Sequence, residues 1–157
     1  MKTIEAHRSL QSVVQALQRQ PDLGLIAVVL FGSRARGDEQ PESDWDLFIV
    51  ASQLPAKPFQ RHLRLKAILP PAWRGKIALL AKTPAEFEAD VSALYLDIAL
   101  DGLILYDTDG YMQRHLTRLQ QLIRKQGLRR EQRGRDLIWR WKTFPGPGWR
   151  LTWEGTA

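Results

Sequence analysis

Residues 30–50 read LFGSRARGDEQPESDWDLFIV, and this stretch decides the fold. It joins two apolar segments through a polar loop that begins at Gly32 and Ser33 and ends at Asp44 and Asp46. Each apolar segment is short and rich in branched residues, which is typical of a buried strand. The loop is too short for a full crossover helix, so we expect antiparallel or mixed pairing of the strands.

Two aspartates stand one residue apart at the start of the second segment. Because side chains alternate along a strand, Asp44 and Asp46 point to the same side, about 7 Å apart, while Trp45 points into the core. Neighbouring carboxylates repel each other unless a cation lies between them. Mg²⁺ prefers oxygen ligands and often bridges to substrate phosphates, so the pair predicts half of a site for metal-assisted phosphoryl chemistry.

The glycine–serine turn predicts the anion-binding half of the same site. Gly32 lets the backbone approach a phosphate closely, the following backbone N–H groups point at an anion, and the Ser33 hydroxyl adds a donor. Arg34 and Arg36 add positive charge beside it. We favour Arg34 as a phosphate ligand, although both arginines could equally be solvent-facing residues of the turn.

The rest of the chain alternates between helical and strand patterns. Apolar periodicity predicts helices over residues 3–19, 59–69, 84–101 and 112–126. Strand patterns cover residues 25–31, 45–50, 76–82 and 103–106. Together these elements predict an α/β (α+β) fold, in which a small mixed β-sheet is backed by helices over one face.

The C-terminal part differs from the rest in charge. Residues 1–112 carry 12 Lys and Arg and 14 Asp and Glu, a net charge of −2, whereas residues 113–157 carry 11 and 3, a net charge of +8. We predict a core over residues 1–110 and a basic C-terminal helix and Trp-rich hairpin over residues 111–157, packed on the core or extending it. In that hairpin, LIWRW pairs with WRLTW around KTFPGPG.

The role of the basic segment is left open by its composition. It could bind an anionic partner such as RNA, with tryptophans stacked on bases, or it could be a solvated basic face. The tryptophans more simply pack on the sheet or on a protein partner.

Composition also excludes several classes of protein. The chain has no cysteine, which excludes disulfides and thiolate metal sites and fits a reducing compartment. The longest wholly apolar run, residues 25–31, is far too short to span a bilayer. Charged residues interrupt the N-terminal MKTIEAHRSLQSVV, so it does not resemble a signal peptide. We expect a cytoplasmic protein without a membrane partner, and its oligomeric state is left open.

The residues FGSRARGDEQPESDWDLFIV resemble the signature of the DNA polymerase beta-like nucleotidyltransferase superfamily: Gly-Ser, ten residues, Asp-x-Asp. They are most similar to the minimal nucleotidyltransferases, small proteins often encoded beside a HEPN-domain partner. The resemblance covers about residues 25–107. It implies binding of ATP or another NTP with Mg²⁺ or Mn²⁺ and transfer of NMP to a hydroxyl acceptor. It also implies that Gly32 and Ser33 hold the triphosphate and that Asp44 and Asp46 are the catalytic metal ligands.

The resemblance further implies a biological setting. In several such pairs the nucleotidyltransferase is the antitoxin of a toxin–antitoxin system and adenylylates its HEPN ribonuclease toxin. The chain is thus expected to be an antitoxin that transfers AMP from ATP to a HEPN-type partner. An RNA-modifying nucleotidyltransferase, whose basic segment grips tRNA, is an alternative.

One position departs from the family pattern. The third carboxylate of the family's metal site falls at Ala78, and no Asp or Glu occurs between Lys76 and Thr83. Three interpretations follow: a non-catalytic nucleotide-binding antitoxin or adaptor, a site in which another carboxylate substitutes, or a site in which two aspartates with phosphates and waters hold at least one Mg²⁺. The candidate substitutes are an acidic stripe on the predicted helix 84–101, made of Glu86, Asp90, Asp97 and Asp101, and Asp38 in the loop.

Overall fold

The computed structural model describes residues 2–156, and a four-stranded mixed sheet forms its centre. The strands are β1 (Leu25–Phe31), β2 (Trp45–Ala51), β3 (Ile77–Lys82) and β4 (Leu103–Asp107), in the spatial order β3-β2-β1-β4. Strand β1 is antiparallel to β2 and β4, whereas β2 and β3 are parallel. The predicted mixed sheet is therefore confirmed, with strand bounds within one residue of the expected ones.

Helices cover both faces of this sheet. They are α1 (Lys2–Gln18), α2 (Ser33–Arg36), α3 (Pro58–Ile68), α4 (Pro84–Ala89), α5 (Ala93–Asp101) and α6 (Tyr111–Lys125), with a 3-10 turn at Pro71–Trp73. Helices α1 and α3 pack on one face, against residues such as Val28 and Leu47. Helices α4, α5 and α6 pack on the other, against Val29 and Phe48. The expectation of helices over one face was wrong, because β1 is apolar at every position and both of its faces must be buried.

The predicted single helix over residues 84–101 is also wrong, since the chain breaks into α4 and α5. Thr83 and Glu86 form a capping box at the start of α4. Asp90 is extended, and the Ser92 side chain then accepts a hydrogen bond from the Tyr95 N–H, which begins a new helix. A serine that caps a helix N-terminus competes with continuation of the preceding helix. The acidic residues of this region consequently do not form one stripe.

The C-terminal hairpin, defined here as residues 128–141, differs from the predicted one. Strand β5 (Leu128–Arg133) pairs antiparallel with β6 (Asp136–Trp141), so LIWRW pairs with LRREQR and not with WRLTW. The two-residue turn begins at Gly134, whose φ is +61°, a position that suits glycine in tight hairpins. This tight turn favours pairing of β6 with β5. Pairing across the longer KTFPGPG loop is less favourable, because its prolines lack N–H donors for the ladder. The last residues form a small ladder between β7 (Leu151–Thr152) and β8 (Gly155–Thr156).

The C-terminal part packs on the sheet. Met112 and Leu119 of α6 are fully buried beside Phe48, and Trp153 lies edge-on to Phe87 with ring centroids 5.2 Å apart. A domain boundary after residue 110 stays a prediction. None of the helices within residues 2–156 is long and apolar enough to cross a membrane.

Candidate active site

The glycine–serine turn and the second aspartate lie against each other. Phe31, the last residue of β1, pairs with Asp46 of β2, so Gly32 follows directly beside that carboxylate. Gly32 has a φ of +75°, and a Cβ there would lie 2.1 Å from Asp46 Oδ2. Any side chain at this position would displace the carboxylate and strain the backbone. The two halves of the predicted site therefore meet at one end of the sheet, in close contact.

Ser33 begins α2 immediately after this contact. The helix is a single turn, in which the Ala35 and Arg36 N–H groups donate to the Gly32 carbonyl at 3.1 Å. The Ser33 hydroxyl is half-buried and has no hydrogen-bond partner among residues 2–156. A hydroxyl in this position can donate to an anion that lies over the turn.

The two carboxylates repel each other. Asp44 is exposed and Asp46 is half-buried. Burial raises the pKa of Asp46, the negative charge of Asp44 raises it further, and the Arg36 guanidinium lowers it. A raised carboxyl pKa means that the negative charge is incompletely compensated by the protein. Oxygen donors with uncompensated charge fit a hard divalent cation, so Asp44 and Asp46 suit Mg²⁺ or Mn²⁺.

The two arginines of α2 lie on different sides of the sheet. The Arg34 guanidinium donates to the Ser43 carbonyl at 3.0 and 3.1 Å and to the Pro41 carbonyl at 3.3 Å, and it lies 4.6 Å from the ring centre of Trp45. Trp45 packs in the cluster beneath α1, on the opposite face from Asp46. Arg34 therefore braces the loop that leads into the carboxylates. The structure does not bring it together with Asp46, and its role as a nucleotide ligand stays a prediction.

Arg36 is the arginine on the carboxylate side. Besides its influence on the pKa of Asp46, its guanidinium contacts Asp38 at 3.2 Å and Asp101 at 3.6 Å. Two arginines separated by one residue in a helical turn point in different directions, and only the packing of α2 decides which one faces the site. Sequence reasoning could not make that choice.

Ala78 occupies the place beside Asp46 on the neighbouring strand. The two residues are partners in the parallel ladder of β2 and β3, and both are half-buried. Partners in a ladder share a face of the sheet, so a carboxylate at this position would face Asp46. Within residues 2–156, no group of three or more His, Asp or Glu is arranged to hold a metal ion. The described site thus has two carboxylates where the family pattern has three.

The proposed substitutes on α4 and α5 are bound elsewhere. Glu86 forms an ion pair with Arg61 at 2.8 Å near the far end of β3, and that contact lowers the pKa of its carboxyl to about 2. Asp97 and Asp101 both accept hydrogen bonds from Arg130. These three carboxylates are compensated by arginines, which argues against a place for them in the metal site. Asp90 caps the end of α4 and is exposed, and Asp38 is exposed in the loop beside Arg36.

Sequence reasoning missed the contribution of the C-terminal hairpin. Arg130 on β5 donates to Asp101 at 2.6 and 2.8 Å, and the Trp139 indole N–H on β6 donates to Asp97 at 2.9 Å. Arg130 lies within a run of basic residues, and nothing in that run distinguishes it from its neighbours. Trp139 was expected to pack on the sheet or on a partner, or to stack on RNA bases, and it packs partly buried against the cluster that includes Phe48.

Comparison with known proteins agrees with this geometry. The model of the family "Polymerase beta, Nucleotidyltransferase" matches residues 11–111. A Methanocaldococcus jannaschii protein, named for an inferred protein adenylyltransferase activity, is 30% identical over 105 residues, which are 64% of this chain and 71% of that protein.

Two solved structures share the fold. One is a toxin–antitoxin complex with AMP-PNP, at 17% identity and a TM-score of 0.54, over 73% of this chain and 86% of the matched chain. The other is a variant of the MntA–HpeT toxin–antitoxin complex, at 14% identity and a TM-score of 0.52, over 76% and 87%. With the family signature at the sheet end and the family match over most of the chain, the protein belongs to the polymerase beta nucleotidyltransferase family.

Proposed function

We propose that the protein is an antitoxin that transfers AMP from ATP to a hydroxyl group, such as that of a tyrosine, on a HEPN-type toxin. The observation that carries this proposal is the close approach of Gly32 to Asp46, because it puts a glycine–serine turn suited to anions beside a carboxylate suited to a cation. The adenylyltransferase name of the archaeal relative and the toxin–antitoxin neighbours support the choice of acceptor.

Each residue of the site has a proposed task. Asp44 and Asp46 hold Mg²⁺ or Mn²⁺, which when bound would neutralise phosphate charge and orient the α-phosphate. Gly32 and Ser33 hold the β- and γ-phosphates through backbone N–H groups and a hydroxyl. Arg34 fixes the loop ahead of Asp44, and it reaches a phosphate only after releasing the Ser43 carbonyl.

The reaction itself is an in-line displacement. The acceptor oxygen forms a bond to the α-phosphorus, the bond from that phosphorus to the bridging oxygen breaks, and pyrophosphate leaves. Positioning and electrostatic stabilisation account for most of the rate in phosphoryl transfer. The described site has no third carboxylate at Ala78 to accept the hydroxyl proton. That proton therefore passes to solvent or to a base on the partner.

The direct test is label transfer from α-³²P-ATP in the presence of Mg²⁺ and the product of the neighbouring gene. We expect label on the partner protein and a loss of about 100-fold or more in the double variant Asp44→Ala/Asp46→Ala, the magnitude typical of groups that stabilise transition-state charge. The matched control is Glu39→Ala/Glu42→Ala, which removes two exposed carboxylates from the same loop. Absence of label on any partner, with the fold intact by circular dichroism, would contradict the proposal.

A second candidate function is supported by Ala78 itself. A chain that lacks the third carboxylate could neutralise a toxin by contact, with or without bound nucleotide. This alternative predicts a tight complex that forms equally well without ATP and with the Asp44→Ala/Asp46→Ala variant.

The net charge of +8 over residues 113–157 leaves a third candidate, transfer to an RNA acceptor. It predicts tRNA binding that weakens steeply as salt increases, since phosphate contacts release counterions. A tRNA affinity that is weak and independent of salt would exclude it.

A further inference from the structure

A partly buried polar cluster connects the C-terminal hairpin to the candidate active site. Arg130 of the hairpin donates to both oxygens of Asp101 at 2.6 and 2.8 Å and to Asp97 at 3.1 Å. Asp101, the last residue of α5, also contacts Arg36 at 3.6 Å. Trp139 completes the cluster by donating to Asp97. The chain of contacts therefore runs from β5 through Asp101 to the helical turn that follows Gly32.

Burial makes these contacts stronger than ordinary surface ion pairs. The side chains of Arg130 and Asp101 are only 16% and 11% exposed, and that of Arg36 is 26% exposed. Electrostatic attraction grows as water is excluded, and a guanidinium that grips both oxygens of one carboxylate fixes its orientation as well. The pKa of Arg130 is raised, chiefly by its hydrogen bonds to Asp101.

The distances show that Asp101 interacts more strongly with Arg130 than with Arg36. Its shorter, two-pronged contact is with Arg130, and the longer contact is with Arg36. Arg130 thus compensates most of the Asp101 charge, and Asp101 contacts Arg36 at the longer distance, alongside the contact of Arg36 with Asp38 at 3.2 Å. Without Arg130, Asp101 would be a partly buried carboxylate next to Asp97 and would draw Arg36 towards itself. Less positive charge would then face the carboxylate end of the sheet.

We propose that Asp101 and Arg130 are positioning residues that keep the Arg36 guanidinium beside the nucleotide site, which makes the C-terminal hairpin a working part of that site. Arg130 lies beyond residues 11–111, which match the family model, so the hairpin adds this contribution from outside the matched domain. The inference rests on the proposed function, in which ATP with Mg²⁺ binds at Asp44 and Asp46.

The test measures the dissociation constant of a fluorescent mant-ATP probe with Mg²⁺ on the full chain. Arg130→Gln, which keeps the size but not the charge, is expected to raise the Kd about tenfold, or about 1.4 kcal/mol. Arg130→Lys keeps the charge without the two-pronged grip and is expected to restore part of the affinity. Arg129→Ala is the matched control, because its side chain is 68% exposed and pairs with Glu131 on the same strand. It is expected to leave the Kd unchanged.

A double-mutant cycle separates positioning from a merely structural role. Arg36→Ala alone should raise the Kd at least as much as Arg130→Gln does. In the Arg36→Ala background, Arg130→Gln should have no further effect, because the residue through which it acts is gone. The Asp101→Asn background should likewise abolish the effect of Arg130→Gln. A general loosening of the fold would instead lower affinity by the same factor in every background.

The outcomes are distinguishable. If the wild-type protein binds the probe but Arg130→Gln leaves the Kd unchanged, this inference alone is overturned. The same holds if the effects in the cycle are fully additive. Wild-type protein that does not bind the probe with Mg²⁺ would overturn both the inference and the proposed function. Melting temperatures of all variants establish that binding is measured on folded protein, and Arg130→Lys carries the test if Arg130→Gln does not fold.

Discussion

An arginine–carboxylate contact lies near each of the two ends of strands β2 and β3, and the two contacts differ in what lies next to them. At the Val50–Lys82 end, Arg61 binds Glu86 through two N–H groups and donates to the carbonyls of Pro55 and Ala81. At the other end, where Asp46 pairs with Ala78, the chain from Arg130 through Asp101 reaches Arg36.

Similar chemistry is satisfied within the protein at one end, and at the other it leads to a carboxylate whose charge is not fully compensated. The groups that Arg61 binds are satisfied within the protein. The carbonyls accept its hydrogen bonds, and its pairing with Glu86 keeps the pKa of that carboxyl low. The Arg36 chain ends beside Asp46, whose raised pKa shows that its charge is not fully compensated. An arginine–carboxylate contact therefore points to a candidate binding site where it leads to a group whose charge is not fully compensated.

The largest expected effect comes from Gly32→Ala, which inserts a methyl group where Asp46 Oδ2 now lies and strains a φ of +75°. The carboxylate must move, so we expect about a 100-fold loss of mant-ATP affinity in the presence of Mg²⁺, comparable to loss of a key charged contact. Gly75→Ala is the matched control, because a Cβ there meets nothing within 4 Å. Affinity within twofold of the wild type in Gly32→Ala would show that the turn and the carboxylate are not one site.

Arg61→Ala should destabilise the other end of the sheet without changing nucleotide affinity at the candidate site. It leaves the Ala81 carbonyl and Glu86 without their partner, so we expect the free energy of unfolding to fall by about 2 kcal/mol. Urea denaturation measures this change. Arg64→Ala on the same helix is the control, and it should cost less than about 1 kcal/mol because its ion pair is more exposed. A loss of nucleotide affinity in Arg61→Ala would contradict the separation of the two ends.

Ala78→Asp should increase the difference between the two ends of the sheet, because it places a third carboxylate next to Asp46. More negative charge in a site that is already under-compensated should strengthen Mn²⁺ binding by about tenfold, because ligand charge raises the affinity for hard cations. Titration followed by electron paramagnetic resonance of free Mn²⁺ measures the effect, and Ala78→Asn is the neutral control of equal shape. Equal Mn²⁺ affinity in the two variants would argue against a cation site at Asp44 and Asp46.

The smallest expected effect is the pH dependence from Glu86. Its hydrogen bond with Arg61, with help from the Thr83 N–H, lowers the pKa of this carboxyl from 4.5 to about 2 in the folded protein. A lowered folded-state pKa stabilises the protein fully above about pH 4.5, and that contribution is lost as the pH falls towards about 2. The stability difference between wild type and Glu86→Gln should therefore shrink on acidification, and solvent screening keeps it small because Glu86 is 41% exposed. A difference that grows towards low pH would contradict the sign.

Much of the sheet could be predicted from the sequence, because each strand has an uninterrupted apolar pattern of its own. Strand β1 has the predicted bounds, and β3 was placed well enough for Ala78 to be identified as the residue beside Asp46. The meeting of Gly32 with Asp46 followed from the short loop between their strands.

The remaining features depend on competition between local alternatives that a pattern does not resolve. Ser92 starts a new helix although the apolar periodicity continues through it. LIWRW alternates apolar and polar residues and could pair with either neighbour, and the tight turn at Gly134 decides the outcome. The contacts that connect Arg36 with Arg130 through Asp101 depend on tertiary packing between segments about 90 residues apart.

The most direct measurement of the central claim is a crystal structure with AMP-PNP and Mn²⁺, in which anomalous scattering locates the metal. We expect at least one Mn²⁺ bound by Asp44 and Asp46, the triphosphate over Gly32 and Ser33, and Arg36 on the same side with its contact to Asp101 retained. A nucleotide bound elsewhere on the protein, or a triphosphate at the turn with no Mn²⁺ at the two aspartates, would contradict the account.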